Sequence, residues 1–326
     1  MPALPSSGAN SQGDATLDLR NRLVTEVGKV VVGAEPATDL LLIALLTGGN
    51  VLLEGVPGTA KTLLVRTLGR CLGLPFRRVQ FTPDMMPSDL TGTMILRDGE
   101  LQFRPGPIFT NLLLADEINR TPPKTQAALL EAMEESSVTV EGVTHELSWP
   151  FLVAATQNPI EYEGTYPLPE AQLDRFLFKV DVGYPAEEAE RRMLWLHHQG
   201  LDPTDLDSAG VETVLTVDEL ADAAAAAKSV DLAPEVAEYI LQIVRATRVA
   251  PSIQVGASPR AAAVFLKAAK ASAMLSDRGY VTPDDVAALA RPLLRHRLLL
   301  RPESEIEGYT ADDVVGSVLS AVPVPR

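Results

Sequence analysis

The most constraining stretch of this chain is Asn50-Val51-Leu52-Leu53-Glu54, followed by Gly55-Val56-Pro57-Gly58-Thr59-Ala60-Lys61-Thr62-Leu63. A short apolar strand runs into a Gly-rich loop, and a helix opens at Lys61-Thr62. Backbone N–H groups in such a loop, with the positive end of the following helix, form a cradle for the phosphates of a nucleotide. Lys61 is placed to reach the β- and γ-phosphates, and Thr62 to offer its hydroxyl to Mg²⁺. An ordinary Gly/Pro turn would not require Lys-Thr at this spacing after an apolar strand. The strict pattern has Gly before the Lys; Ala60 stands here, and Ala tolerates fewer backbone conformations.

Further apolar, strand-like runs recur at residues 76–81, 112–115, 151–156 and 176–180. Helical or hairpin segments separate them, which predicts an α/β layer built on a parallel sheet. Two hairpins interrupt the alternation, one turning at Asp98-Gly99 and one at Glu141-Gly142. Upstream, residues 1–14 are rich in Ser, Gly, Pro and Asn and predict a disordered tail. Helices are expected to about residue 31 and over 36–47, the second stopping at Gly48-Gly49. After Tyr184 the texture changes to Ala-rich helical stretches at 186–199, 217–228, 234–249, 259–275 and 283–297. Several open with Pro in the first turn, where its missing N–H costs nothing. The expected organisation is a tail over 1–14, an α/β nucleotide-binding core over 15–183 and a small all-α domain over 184–326.

A chain of 326 residues is long enough for about two domains, each with a sizeable core. Its net charge of −15 argues against a protein that lives on nucleic-acid phosphates. No basic half hides in that average: residues 1–182 carry 14 basic and 22 acidic side chains, residues 183–326 carry 14 and 21. The single cysteine, Cys71, forms neither an internal disulfide nor a thiolate cluster, which suits a reducing compartment. It sits in a helical apolar pattern and reads as a small buried hydrophobe. The longest apolar run, 40–46, is too short to span a bilayer, and the N-terminus lacks the basic start and apolar stretch of a signal peptide. A cytoplasmic protein with no membrane span is expected.

Two more anchors carry chemistry. Leu112-Leu113-Leu114-Ala115-Asp116-Glu117 is an apolar strand presenting two acids at the carboxyl edge of the sheet, where phosphates lie. Asp116 suits the Mg²⁺ shell, and Glu117 suits orienting or deprotonating the attacking water. Alone, Asp-Glu could merely cap a strand; after a phosphate-binding loop it points to nucleotide hydrolysis. Ala154-Ala155-Thr156-Gln157-Asn158-Pro159 ends another strand. Asn158 could bond the γ-phosphate or the lytic water, although Asn-Pro is by itself an ordinary turn.

With these anchors in order, the chain resembles the AAA+ ATPases, and among them the MoxR family in the branch with an insert in the second helix. The resemblance runs from about residue 31 to 182. It is carried by residues 54–62, Phe103-Arg104-Pro105-Gly106-Pro107-Ile108-Phe109, Ala115-Asp116-Glu117-Ile118-Asn119-Arg120 and Gly164-Thr165-Tyr166-Pro167-Leu168-Pro169-Glu170-Ala171-Gln172-Leu173-Asp174-Arg175-Phe176. Members commonly carry Ala before the loop Lys, so Ala60 fits. The resemblance implies a P-loop three-layer core with a parallel sheet and two β-hairpin inserts, followed by an all-α lid. It implies ATP/ADP and Mg²⁺ as ligands and a homo-oligomer, typically a hexameric ring. It also implies a chaperone-like remodeller or maturation factor whose partner contains a von Willebrand factor A domain.

By position, the resemblance makes Asn158 the first sensor and Arg175 the arginine finger that reaches a neighbouring subunit. Arg260, in Gly256-Ala257-Ser258-Pro259-Arg260, becomes the second sensor at the start of a lid helix. A local ion pair with Asp174 or Asp181 is the alternative for Arg175. A cation at a helix start opposes the helix dipole, which points to an anionic partner for Arg260. Val32-Gly33 corresponds to the adenine contact, with an apolar linker as the alternative. No metal-ligand spacing surrounds His145, His197, His198 or His296.

In related motors the two hairpins line a central pore. From Thr125 to Asp174 there is no Lys or Arg. Hairpins pushing on a nucleic-acid backbone need cations, and only Arg97 and Arg104 flank the first one. The expectation is therefore an ATP hydrolase acting on a protein partner. A nucleic-acid motor and a nucleotide-gated scaffold with little turnover are the alternatives.

Overall fold

The computed structural model describes residues 10–157 and 165–325, with side chains placed from Asp18 onward. The first helices are α1 (Asn10–Val27) and α2 (Glu35–Thr47). Because α1 begins at Asn10, the expected tail is corrected: residues 10–14 are helical. Residues 1–9 lie outside the described residues. The chain continues through β1 (Val51–Glu54), α3 (Lys61–Cys71), β2 (Phe76–Gln80) and α4 (Pro87–Thr91). The first hairpin, β3 (Gly92–Arg97) with β4 (Glu100–Pro105), is followed by β5 (Leu112–Asp116) and α5 (Pro123–Glu135). The second, β6 (Ser137–Val140) with β7 (Val143–Glu146), precedes β8 (Leu152–Gln157), α6 (Glu170–Leu173) and β9 (Phe178–Asp181). Both hairpin turns adopt positive φ, at Asp98-Gly99 and Glu141-Gly142, the backbone that two-residue hairpin loops require.

Five strands form one parallel sheet in the order β2-β5-β8-β1-β9. The period-2 alternation of each strand sorts its apolar side chains onto two faces. Val51, Leu53, Leu112, Leu114 and Ala154 join one cluster, while Leu52, Leu113, Ala115 and Val153 join a second cluster with Leu129, Leu130 and Met133 of α5. This is the three-layer arrangement expected for an α/β core, and it brings every strand's carboxyl end to one edge.

After β9 the elements are helical apart from one short antiparallel pair. They are α7 (Glu187–His198), α8 (Val217–Ser229), α9 (Pro234–Val249), β10 (Ile253–Val255), α10 (Pro259–Leu275), α11 (Pro283–Leu294), β11 (Leu299–Leu300), α12 (Pro302–Ile306) and α13 (Ala311–Ala321). Their starts are written locally. Thr216, Thr282 and Thr310 cap α8, α11 and α13, each accepting the backbone N–H three residues on, where Glu219, Asp285 or Asp313 bonds back. Helix α10 packs against α1, α2, α8, α9 and α11. The first apolar cluster therefore runs without a break from the sheet into the helical part, through residues such as Leu41, Leu45, Phe265 and Leu293. Among the described residues, no helix is long and apolar enough to cross a membrane.

Candidate nucleotide-binding site

The loop between β1 and α3 is forced into shape by close approach. A Cβ at Gly55 would lie 2.2 Å from the Val182 carbonyl oxygen, so only glycine fits beside the end of β9. Gly58 has φ +86° with open space around it, leaving the backbone accessible to a ligand. Ala60 is left-handed at φ 59°, immediately before α3. A non-glycine residue in that region costs on the order of 1 kcal/mol or more. The strain sits where backbone N–H groups must turn inward.

Lys61 folds over this loop and donates to the Gly55 and Val56 carbonyls, both at 2.8 Å, with Thr59 Oγ1 at 3.3 Å. Burial pushes its ammonium below the ordinary lysine value, against the opposing pull of Asp116 and Glu117. A nucleotide polyphosphate supplies the anion that this half-buried cation lacks. Val32, Gly33, Gly58, Thr59, Ala60 and Leu63 line one cleft of about 410 Å³, which Pro292 and Arg295 close from the lid side. Its apolar end at Val32-Gly33 and its polar end at the loop suit a purine and its phosphates.

At the end of β5, separated from β1 by β8, Asp116 is buried with both oxygens hydrogen-bonded. Thr156 Oγ1 donates to its Oδ1 at 2.6 Å, and Arg78 donates to its Oδ2 through Nε (2.9 Å) and Nη2 (2.6 Å). The Glu117 backbone N–H donates to the same Thr156 hydroxyl at 2.8 Å, and Glu117 takes a left-handed φ of 57°. Gln80 Nε2 donates to Glu117 Oε2 at 2.6 Å, and Arg120 Nε lies 3.0 Å from it. Thr62 and Asp116 offer hard oxygen donors of the kind Mg²⁺ takes, so the residues fit the ion. Among the described residues no cluster of three His, Cys, Asp or Glu side chains could hold a metal without a ligand's help. Sequence reading missed Arg78, Gln80 and Thr156, which are ordinary strand residues until the register sets them beside the two acids.

Arg175 and Arg260 lie elsewhere. Arg175 Nη1 donates to the Leu130 carbonyl at 3.0 Å and to Glu134 Oε2 at 2.5 Å, while Arg260 Nη1 reaches Glu134 Oε1 at 2.8 Å. One acid thus bridges the two arginines, and it is the anionic partner expected for Arg260. The expected local alternative for Arg175 fails: Asp174 is held by Arg297, and Asp181 by Arg295. Arg297 is a buried staple. Its Nε donates to Asp174 Oδ1 at 2.7 Å and its Nη2 to the Phe176 carbonyl at 2.6 Å, so it grips both neighbours of Arg175 from the lid. Ser258 adds a bond to Asp174 Oδ2 at 3.0 Å. His296 beside it donates from Nε2 to the Phe176 carbonyl at 2.9 Å. Cys71 is buried, and burial pushes its thiol up to about 12. Asn158 lies outside the described residues.

A phosphate-binding loop, an acid-tipped strand ending at the same sheet edge and a helical lid over a five-stranded parallel sheet define an AAA+ ATPase. The profile of the ATPase family associated with various cellular activities (AAA) matches residues 50–178, and that of the AAA lid domain matches 245–318. The chain is 49% identical to the uncharacterized protein YeaC of Bacillus subtilis, over 94% of this chain and 95% of that one. It is 41% identical to chaperone MoxR1 of Mycobacterium tuberculosis, over 99% and 86%. It is 33% identical to protein MoxR of Methylorubrum extorquens, over 96% and 98%. A crystal structure of a protein assigned as an ATPase, from Cytophaga hutchinsonii, superimposes with a TM-score of 0.87 at 41% identity, covering 97% of this chain and 98% of that one. The chain belongs to the MoxR family of AAA+ ATPases.

Proposed function

We propose that this ATPase is Mg²⁺-dependent and uses hydrolysis to remodel or mature a protein partner, as a chaperone-like member of its family. The observation that carries the protein-directed reading is the pair of hairpins. Leu96 and Leu101 face each other across the first tip and are 73% and 68% exposed. Val143 is exposed on the second hairpin. The second hairpin lies in the segment without a Lys or Arg. Exposed apolar side chains suit polypeptide, and the second hairpin, with Glu141 and Glu146 and no Lys or Arg, repels a phosphate backbone.

In this reading Gly55, Val56, Pro57, Gly58, Thr59 and Ala60 cradle the phosphates, and Lys61 transfers its hydrogen bonds from its own loop to the β- and γ-phosphates. Val32, Gly33 and Leu63 take the base. Thr62 and Asp116 hold Mg²⁺, directly or through water, with Arg78 and Thr156 fixing the Asp116 rotamer. When bound there, Mg²⁺ would supply positive charge to offset the negative charge developing on the phosphates. Glu117 accepts the water proton after releasing Gln80, and Asn158 positions that water. Arg175 and Arg260, paired on Glu134 away from the cleft lining, act on a neighbouring subunit's nucleotide. Hydrolysis then needs assembly, in keeping with a hexameric ring. The functional division falls at 183/184, between the α/β core and a helical lid. A cytoplasmic location and a von Willebrand factor A domain client complete the proposal, on the strength of family membership.

Affinity capture on Glu117→Gln with ATP and Mg²⁺ tests it. The variant is expected to bind ATP, lose turnover and retain a protein partner that ADP releases. ATPase activity raised by DNA or RNA and quenched by salt would instead mark a nucleic-acid motor.

A further inference from the structure

Two lid arginines that reach core acids, Arg260 and Arg295, differ in which side of the core they meet. Arg260 sits on Glu134 with Arg175, whereas Arg295, just after α11, lines the nucleotide cleft. Its side chain is only 15% exposed and is divided between two carboxylates. Nε and Nη2 grip Asp312 of α13 in a bidentate fork, at 3.0 and 2.7 Å. Nη1, on the free edge of the guanidinium, bonds Asp181 at the end of β9. Asp181 is the register partner of Glu54, the residue before Gly55. Arg295 therefore stands at the same sheet edge as the phosphate-binding loop.

The charges around it are unevenly matched. Glu54 has its own cation, Lys179, at 2.7 Å. Asp181 is 54% exposed on its side chain and, among the described residues, pairs with Arg295. The fork to Asp312 lies within the lid and fixes the guanidinium plane, while the Nη1 contact alone crosses to the core. A water-exposed carboxylate is a weak holder; a phosphate oxygen in a partly closed cleft is a stronger partner for the same N–H.

We propose that Arg295 is the lid cation that binds the nucleotide of its own subunit, exchanging the Nη1 contact with Asp181 for a phosphate oxygen while Asp312 keeps the guanidinium anchored to α13. Nucleotide then ties lid to core through the same arginine that Asp181 ties in its absence. This rests on the cleft being the nucleotide site. Arg260 and Arg295 divide the work, one facing the neighbour's site and the other its own.

The test is calorimetric titration of ATP, ADP and adenosine, with Mg²⁺, into the full chain carrying Glu117→Gln, with Arg295→Gln or Asp181→Asn added. Arg295→Gln is expected to weaken ATP and ADP binding about tenfold, the loss of one charge-assisted contact, and to leave adenosine binding unchanged. Asp181→Asn removes the competing anion and is expected to tighten ATP binding by roughly threefold. A merely structural tie would move both variants in the same direction, with parallel drops in Tm, and would overturn the proposal. So would ATP binding unaffected by Arg295→Gln, or adenosine weakened as much as ATP. Arg295→Lys, with the charge kept and the fork lost, is expected to recover part of the affinity, and guards against a misfolded Gln variant. If Lys61→Ala binds ATP as tightly as the parent, the cleft itself has been misassigned and the underlying reading fails instead.

Discussion

The two clusters of cations proposed to meet phosphate are built differently. On the cleft side, the chain satisfies itself: Lys61 bonds its own loop, Arg78 and Thr156 saturate Asp116, and Gln80 holds Glu117. On the other side, Arg175 and Arg260 converge on a single exposed acid, Glu134. The first arrangement can receive a nucleotide by local exchange of hydrogen bonds. The second holds two positive charges on one negative and, in the proposed function, gains a matching anion from a neighbouring subunit. The lesson is that charge balance separates what a subunit completes alone from what it offers to another.

The largest break of this comparison is Arg175→Ala. A finger supplied in trans is worth roughly 10³-fold or more in turnover. We expect that loss in kcat with little change in ATP affinity, measured by steady-state hydrolysis at saturating ATP. A change of less than about tenfold would mean that Arg175 serves only Glu134. On the cleft side, Glu117→Gln is expected to cost about 10²- to 10⁴-fold in turnover, the usual worth of a positioned base, while equilibrium ATP binding persists.

Arg297 joins the two sides, because it fixes Asp174 and Phe176 around Arg175 from within the lid. Burial pushes its guanidinium below the ordinary arginine value, with Asp174 pulling the other way. Removing one member of a buried pair leaves the other uncompensated, at about 3–5 kcal/mol. Arg297→Met should cost that much in urea unfolding. Arg297→Met with Asp174→Asn should recover part of it, since the orphaned charge goes too. An additive double variant would show that the pair is not coupled.

His296 separates the sides by pH. Burial first, and the Arg297 charge next, push it well below its usual 6.5, so the folded protein keeps it neutral. The unfolded chain binds this proton below pH 6.5 and the folded chain does not. Stability is therefore complete above 6.5 and falls with acidification by up to about 1.4 kcal/mol per pH unit. Between pH 7 and 5.5, wild type should lose about 1 kcal/mol more than His296→Gln; equal slopes would place the titration elsewhere.

Much of this was readable locally. Strands β1, β5 and β8 announce themselves as apolar runs, whereas β2 and β9 mix Phe and Val with Arg77, Arg78, Gln80 and Lys179; the hairpin turns show because Asp-Gly and Glu-Gly sit between alternating residues. Lid helices opened by Pro were equally plain, although the Thr-x-x-acid boxes of α8, α11 and α13, the helix α13 itself and the β10–β11 pair were missed. What had no local signature was pairing across the chain. Arg297 finds Asp174 123 residues away and Arg295 finds Asp181 at 114, and neither separation leaves a mark on the residues between. The local expectation for Arg175 failed for the same reason: adjacency in sequence put Asp174 near it, but the lid had already claimed that acid.

The smallest expected effect is the sharpest probe of the comparison. Glu134 is 40% exposed on its side chain, and its partners Arg175 and Arg260 are 31% and 44% exposed. Ion pairs at that exposure are screened by solvent and contribute less than about 1 kcal/mol. Glu134→Gln should therefore shift the unfolding midpoint in urea only slightly, even though it removes the acid shared by two arginines. Its consequence should appear in assembly, because Arg175 and Arg260 no longer have to leave a partner before meeting a neighbour's nucleotide. Hydrolysis measured against subunit concentration is expected to reach half-maximum at a concentration lower by a few-fold, within what about 1 kcal/mol allows. A stability loss as large as that of Arg297→Met would make Glu134 part of the fold. A turnover loss as large as that of Arg175→Ala would make it part of the machinery. Either result would remove the distinction between a side that is complete in one chain and a side that waits for another.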